Sequence, residues 1–202
     1  MATIVVGGHS RNVGKTSVVA GIIAALPAHQ WTAVKITQFG HGICSVNGKS
    51  CHCAVDEHTM AISEERDRSG KTDTSRFLVA GAPRALWVRT KQGHLKEAMP
   101  ALRQRLPGAG NVIIESNSVM KFLRPDIYLS VLDYATADFK ASAREFLELA
   151  DALLIHTSSA APPWNDVSLQ SAESKPRFPI SPPQYVAPEL ISWLKSRLQL
   201  VA

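Results

Sequence analysis

The decapeptide GHSRNVGKTS, residues 8–17, is the most informative stretch of this 202-residue chain. It follows the apolar run of residues 4–6 and precedes an apolar helical pattern that stops before Pro27. This order predicts that the decapeptide joins a buried strand to a helix. A glycine turn at the start of a helix directs several backbone N–H groups at one point, where they bind an anion. The stretch therefore predicts a phosphate-binding loop.

Residues 8–17 meet the chemical requirements of such a loop. Gly14 lets the backbone approach the anion, Lys15 neutralises the β and γ oxygens of a nucleotide, and Thr16 is a candidate Mg²⁺ ligand. The other predicted nucleotide-binding residues are Gly8, Asn12, Val13 and Ser17. The usual spacing of the motif places a glycine at position 9, where this chain has His9. The loop predicts binding of ATP or GTP with Mg²⁺.

Apolar runs alternate with helical patterns along the rest of the chain. Strands are predicted at residues 4–6, 32–36, 85–89, 111–115, 127–132, 152–156 and 178–180, and helices at 15–26, 73–80, 91–106, 140–149 and 188–200. Since the strands are apolar on both faces, the pattern predicts an α/β fold with a mostly parallel sheet and helices on both faces. The length suits one domain over residues 1–202.

Composition narrows the class of protein. A hydrophobic content of 45% and a charged content of 19% are typical of a globular chain and exclude collagen-like, coiled-coil and disordered classes. The longest apolar stretch, residues 18–26, is well short of the roughly 20 residues that span a bilayer. The N-terminus has no basic segment before its apolar run, so we expect no signal peptide and a cytoplasmic protein.

The net charge of +5 favours anionic partners. The excess is spread along the chain and not packed into a basic block, which favours an ordinary mildly basic protein over a nucleic-acid-binding surface. A phosphate-bearing small molecule fits this charge equally well.

Three charged residues outside the loop complete a predicted phosphoryl-transfer site. Glu115 ends a central apolar strand, where α/β sheets meet their ligands, and Asp73 precedes an apolar helix, where it could also act as a cap. Lys35 interrupts an apolar strand, so it either emerges at the strand's end or meets an anion such as phosphate. We predict that Thr16, Asp73 and Glu115 hold Mg²⁺. We also predict that Lys15, Lys35 and Glu115 act in catalysis.

The connection at residues 37–72 is longer than compact domains usually carry, so we expect a small folded module or a mobile lid. It contains the three cysteines, Cys44, Cys51 and Cys53, together with His41, His52 and His58. Reduced thiols favour soft-metal ligation over a disulfide. Three thiolates with one imidazole would complete a Zn²⁺ site, and three thiolates alone would hold an iron–sulfur cluster with one open corner. The spacing matches neither pattern well, so free or redox-active thiols remain the alternative.

The phosphate-binding loop resembles that of the dethiobiotin synthetases, which end in the same Val-Gly-Lys-Thr. Lys35 matches a lysine that this family directs at the phosphates, and Asp73 and Glu115 match carboxylates that hold the metal. The matched positions lie between residues 8 and 115. The resemblance implies a P-loop NTPase of the SIMIBI class that forms a homodimer.

The chain is also similar to the molybdopterin-guanine dinucleotide biosynthesis protein B family. The shared features are Gly14-Lys15-Thr16, Val34-Lys35, Asp73 and Arg76 ahead of Ala80-Gly81-Ala82, and Phe178-Pro179-Ile180 before a C-terminal helix. This resemblance implies an accessory role in maturation of the molybdenum-cofactor guanine dinucleotide. After Glu115 the chain has Ser116-Asn117-Ser118, where both families tend to glycine.

Two other functions stay open on the sequence. One is an ATP-dependent ligase or kinase of the dethiobiotin-synthetase type that acts on a small molecule. The other is a nucleotide-regulated metal chaperone or sensor that uses the cysteines. In each case we expect the connection at residues 37–72 to contact the second substrate or a protein partner. Asp133 and His156-Thr157 do not match the residue patterns that recognise adenine or guanine, so the sequence does not distinguish ATP from GTP.

Overall fold

The computed structural model describes residues 2–39, 60–106, 108, 110–157, 163–164 and 167–199. Cys44, Cys51 and Cys53 lie outside the described residues, and so do the histidines among them. The predicted zinc or iron–sulfur site therefore lies outside the described residues.

One sheet organises the described residues. Its strands are β1 (Thr3–Gly8), β2 (Thr32–Phe39), β3 (Met60–Glu64), β4 (Arg84–Lys91), β5 (Val112–Glu115), β6 (Ile127–Leu132), β7 (Ala152–His156) and β8 (Arg177–Ile180). They lie in the order β3-β4-β2-β5-β1-β6-β7-β8. Every neighbouring pair is parallel except β3 and β4, which are antiparallel. The predicted mostly parallel α/β sheet is confirmed.

In the described residues, helices lie in the connections β1–β2, β3–β4, β4–β5 and β6–β7, and one more follows β8. They are α1 (Lys15–Ala25), α2 (Asp73–Val79), α3 (Leu95–Arg105), α4 (Ala141–Phe146) and α5 (Pro188–Leu198). None of the helices in the described ranges is long and apolar enough to cross a membrane.

Successive side chains of β1 point to opposite faces of the sheet and show that both faces are covered. Ile4 and Val6 face an apolar layer to which α1, α2 and α5 contribute, whereas Val5 faces the layer that contains α3 and α4. Strands β5 and β6 are consequently buried at every residue. Burial on both faces explains why the central strands read as continuous apolar runs in the sequence.

Residues 60–64 of the long connection form a strand that the sequence pattern does not predict. This segment, MAISE, is β3, and it pairs with β4 at the edge of the sheet. Its residues are exposed or half-buried, so it needs no apolar run. A short edge strand of mixed composition carries too weak a pattern to be recognised in one sequence.

Candidate nucleotide-binding site

The loop between β1 and α1 has a backbone that few side chains permit. Gly14 adopts φ 88° at the start of α1, in the left-handed region that favours glycine. A Cβ atom at this position would lie 2.5 Å from Cε1 of Tyr185, so both the conformation and the packing require glycine. Asn12 also has a positive φ, of 60°. These two residues turn the chain from the strand into the helix.

The N-terminus of α1 offers uncapped backbone donors. Gly14 makes no side-chain cap, and the first turn of α1 contains no acidic residue. The first N–H groups of a helix have no partner within the helix, and its dipole favours negative charge at this end. The arrangement suits a bound anion.

Lys15 lies over this loop. Its Nζ donates to the carbonyl oxygen of Ser10 at 2.5 Å. Burial lowers the pKa of Lys15 to about 8; the Glu115 carboxylate opposes this shift, and Lys140 and Lys35 add to it. No carboxylate in the described part of the chain lies within ion-pair distance of Lys15. A partly buried ammonium without a carboxylate partner is suited to a phosphate.

The predicted metal ligands and Lys35 meet at one point. Thr16 Oγ1 donates to Glu115 Oε2 at 2.8 Å. Lys35 Nζ lies 2.7 Å from Glu115 Oε1 and 2.6 Å from Asp73 Oδ2. The same nitrogen is 3.5 Å from Thr16 Oγ1. The structure thus brings together four residues that the sequence analysis selected separately.

Strand register explains why Lys35 meets Glu115. Residues Lys35 and Glu115 are direct partners on the neighbouring strands β2 and β5, so their side chains lie on the same face. Asp73 reaches them from the first turn of α2, which Thr72 caps through a hydrogen bond from Ser75 N to Thr72 Oγ1 of 3.1 Å. The partners of Lys35 in the structure are these two carboxylates, and its predicted contact with a phosphate stays a prediction.

Lys35 is charged in this environment. Burial acts to lower the pKa of Lys35, but the Glu115 and Asp73 carboxylates outweigh it, so the pKa is raised. The oxygen atoms of Thr16, Asp73 and Glu115 are the hard donors that Mg²⁺ prefers. The chemistry of these three donors therefore fits Mg²⁺.

The side chain of Ser17 contacts α2, and its predicted role in nucleotide binding stays a prediction. Its hydroxyl accepts a hydrogen bond of 2.8 Å from Arg76 Nη2, which ties α2 to α1. The structure therefore gives the Ser17 side chain a partner in α2. Its position in the first turn of α1 still places its backbone N–H among the uncapped donors.

Asn117 is a residue of the site that sequence reasoning missed. Gly8 N donates to Asn117 Oδ1 at 2.8 Å, and Asn117 Nδ2 donates to Gly8 O at 2.9 Å. The amide side chain thereby fixes the start of the phosphate-binding loop from the end of β5. The departure from glycine at residues 116–118 is the one signal in the sequence that marks this position.

His9 anchors the loop on its other side. It is fully buried, and its ring contacts those of Phe139 and Trp164 at centroid distances of 5.3 and 4.7 Å. Nε2 accepts a hydrogen bond from Asp133 N at 3.0 Å, so Nδ1 carries the proton that is donated to Asp138 O at 2.8 Å. Burial lowers the pKa of His9. This neutral anchor explains why position 9 is not glycine.

Lys140 adds positive charge that the sequence analysis also missed. Its backbone N–H donates to His9 O at 2.8 Å, which brings the start of α4 to the loop. Burial lowers the pKa of Lys140, and the charge of Arg11 adds to this effect. Among the described residues it makes no ion pair. Three lysines therefore contribute positive charge around the loop.

The C-terminal part of the loop is covered by the last residue of β7 and by a residue that follows β8. His156 Nε2 donates to Val13 O at 3.0 Å. Tyr185 packs against Gly14, and its ring lies 6.3 Å from that of His156 in an edge-on arrangement. Val13 is thus held through its carbonyl group.

A solved structure shares this arrangement of strands and helices. HypB from Helicobacter pylori, crystallised in complex with nickel, matches 98% of this chain and 86% of its own length, with a TM-score of 0.51 and 13% sequence identity. The chain has the P-loop NTPase fold. No family model matches its sequence, and no curated protein does.

Two further structures with the P-loop NTPase fold are similar at a TM-score of 0.48. LpxK from Aquifex aeolicus in complex with ATP is 17% identical and matches 89% of this chain and 53% of its own. FlhF complexed with GMPPNP and Mg²⁺ is 14% identical and matches 97% of this chain and 73% of its own. The likeness to HypB confirms the predicted P-loop NTPase fold, and membership of the SIMIBI class stays a prediction. The resemblances to two narrower families stay predictions.

Proposed function

We propose that this chain binds ATP or GTP with Mg²⁺ in the loop between β1 and α1 and cleaves or transfers the terminal phosphoryl group. One observation carries the proposal: Lys15, which has no carboxylate partner among the described residues, lies over an uncapped helix N-terminus next to a set of oxygen donors. This combination of a cation, free backbone N–H groups and hard oxygen ligands is suited to a polyphosphate with its metal ion.

Each group has a distinct task in the proposed reaction. The backbone N–H groups at the start of α1 bind the phosphates, and Lys15 neutralises their oxygens. Thr16, Asp73 and Glu115 would hold Mg²⁺, which when bound neutralises charge that develops on the phosphate oxygens. Asn117 and His9 keep the loop in shape from two sides, so the donors are oriented before the nucleotide arrives.

Lys15→Ala tests this proposal. A hydrogen bond to a charged group contributes about 1.5–3 kcal/mol, so we expect affinity for ATP and GTP to fall roughly 10- to 100-fold. Isothermal titration calorimetry with Mg²⁺ present measures it. Lys121→Ala is the matched control, since Lys121 is about half exposed and pairs with Glu145, and neither residue belongs to the loop or to the candidate metal ligands. Unchanged affinity in Lys15→Ala would remove the proposal.

Within this function, an accessory role in molybdenum-cofactor guanine dinucleotide maturation is the narrower proposal. It is supported by the Val34-Lys35 pair, by Arg76 in α2 and by Phe178-Pro179-Ile180, which lie in β8 ahead of α5. The same resemblances imply a homodimer. A preference for GTP over ATP in calorimetry would support this role, and a preference for ATP would favour the small-molecule ligase or kinase.

The cysteines support a third proposal, a nucleotide-regulated metal chaperone or sensor. Its distinguishing measurement is metal analysis of an anaerobic preparation, made with and without nucleotide. Nucleotide-dependent loading of zinc or iron that falls in Cys51→Ser would favour the chaperone. Equal metal content in both proteins would count against it.

A further inference from the structure

We infer that Lys35 acts as the resident cation of the metal site, so that the nucleotide-free protein excludes divalent cations and admits them only together with a nucleotide. This inference rests on the proposed function for the nucleotide step. The first part of the inference, that Lys35 excludes divalent cations, concerns only the protein without nucleotide.

The position of the Lys35 ammonium carries the inference. Nζ lies 2.6 Å from Asp73 and 2.7 Å from Glu115, the two carboxylates of the candidate metal site. It is also 3.5 Å from the Thr16 hydroxyl, the third candidate ligand. One ammonium therefore occupies the point on which all three oxygen donors converge. A divalent cation that used the same oxygens would have to displace it.

Charge makes this displacement unfavourable without a nucleotide. Glu115 is buried, and the Lys35 side chain is 18% exposed, so solvent screens their interaction only partly. A divalent cation placed among the same oxygens would stand beside the Lys35 ammonium in a poorly screened environment. Within the described residues, Asp73 and Glu115 are the carboxylates with which Lys35 forms ion pairs.

A bound polyphosphate would supply negative charge with which Lys35 could pair when a metal ion takes its place between the carboxylates. The hydroxyl of Thr16 lies both beside Lys35 Nζ and in the first turn of α1, whose free N–H groups form the proposed phosphate site. Phosphates bound there bring negative charge within reach of the flexible Lys35 side chain. Lys35 can then exchange carboxylates for phosphate oxygens and leave Asp73 and Glu115 to the metal ion. Metal and nucleotide binding are coupled by this exchange.

Mn²⁺ binding to the full-length, nucleotide-free protein tests the inference, followed by electron paramagnetic resonance. Mn²⁺ is the probe because it prefers oxygen ligands over thiolates. We expect wild type and Lys35→Arg, which keeps a cation at this position, to bind Mn²⁺ weakly. We expect Lys35→Met to bind it at least about tenfold more tightly, because the carboxylates are then free. Asp73→Asn added to Lys35→Met should abolish that gain.

Two results would overturn the inference: wild-type protein that binds Mn²⁺ as tightly as Lys35→Met, or a folded Lys35→Met that gains no affinity. Circular dichroism checks folding, and Lys35→Gln provides a second neutral side chain if the methionine variant does not fold. A purely structural ion pair would give a less stable variant with no gain in Mn²⁺ affinity.

A second titration separates this inference from the proposed function. Adding ATP or GTP to wild type should introduce one tight Mn²⁺ site per bound nucleotide. If neither nucleotide binds, the proposed function fails, whereas the comparison of wild type with Lys35→Met still decides whether Lys35 excludes metal. If nucleotide binds and Mn²⁺ affinity does not rise, the coupling by Lys35 is wrong.

Discussion

His9 shows how one residue can replace the expected glycine of a phosphate-binding loop. Its two ring nitrogens bond backbone groups of Asp133 and Asp138, and its ring packs against Phe139 and Trp164, which also contact each other. The side chain therefore joins the loop to the segment that follows β6. This role needs a neutral imidazole, because Nε2 must accept a hydrogen bond.

The neutral state of His9 predicts a pH dependence of stability. Burial lowers the pKa of His9 below 6.5 in the folded protein, and the charge of Lys15 acts in the same direction. The hydrogen bond to Asp138 O and the charges of Asp133 and Asp138 raise the pKa, but burial outweighs them. Below pH 6.5 the unfolded chain binds a proton that the folded chain does not, so the free energy of unfolding falls as the pH drops. Urea unfolding between about pH 7 and pH 5 measures this loss.

His9→Gln should reduce that dependence, since glutamine does not titrate. His29→Gln is the control, because His29 lies outside the aromatic cluster and is only partly buried. Equal pH dependence in wild type and His9→Gln would contradict the assignment of His9 as a buried neutral anchor.

At the scale of elements, the site depends on how α1 and α2 are placed on the sheet. Both helices begin at its carboxyl edge, α1 after β1 and α2 in the connection from β3 to β4. The bond from Arg76 to Ser17 holds the two together. The start of α2 matters most, because it presents Asp73 to Lys35.

Thr72 fixes that start and gives a prediction for the element. Its hydroxyl accepts from Ser75 N and donates to Glu65 at 3.0 Å. We expect Thr72→Ala to lower the free energy of unfolding by about 1 kcal/mol through loss of the cap. Thr72→Ser keeps the hydroxyl and should restore most of this stability. Urea unfolding of the three proteins measures the difference, and equal losses in both variants would show that the methyl group matters and the cap does not.

At the scale of the whole molecule, the predicted site residues that lie in the described ranges are gathered on one side of the sheet. The end of β1 leads into the loop, the end of β5 supplies Glu115, and Lys35 lies midway along β2 beside Glu115. A ligand that binds there contacts elements from both halves of the chain, so it should stabilise the entire fold and not one segment.

Thermal unfolding with Mg²⁺ and a nucleotide tests this expectation. A ligand present at about 100 times its Kd adds about 2.7 kcal/mol, which corresponds to a rise in Tm of roughly 5–10 °C for a chain of this size. Chelation of Mg²⁺ should remove most of the rise. AMP and GMP, which lack the β and γ phosphates, are the controls. No rise with either triphosphate would contradict a nucleotide site on this side of the sheet.

Sequence by itself predicted the five helices and every described strand except β3, the position of the loop and the choice of Lys15, Thr16, Lys35, Asp73 and Glu115 as candidate site residues. These are local properties, because hydrophobic period, glycine turns and helix starts depend on residues close together in the chain. Only the tertiary structure decided which groups meet. Lys35 bonds Glu115 across 80 positions of sequence, and His9 bonds Asp133 across 124. Such pairs are set by strand register and helix packing, which a single sequence does not encode in any nearby pattern.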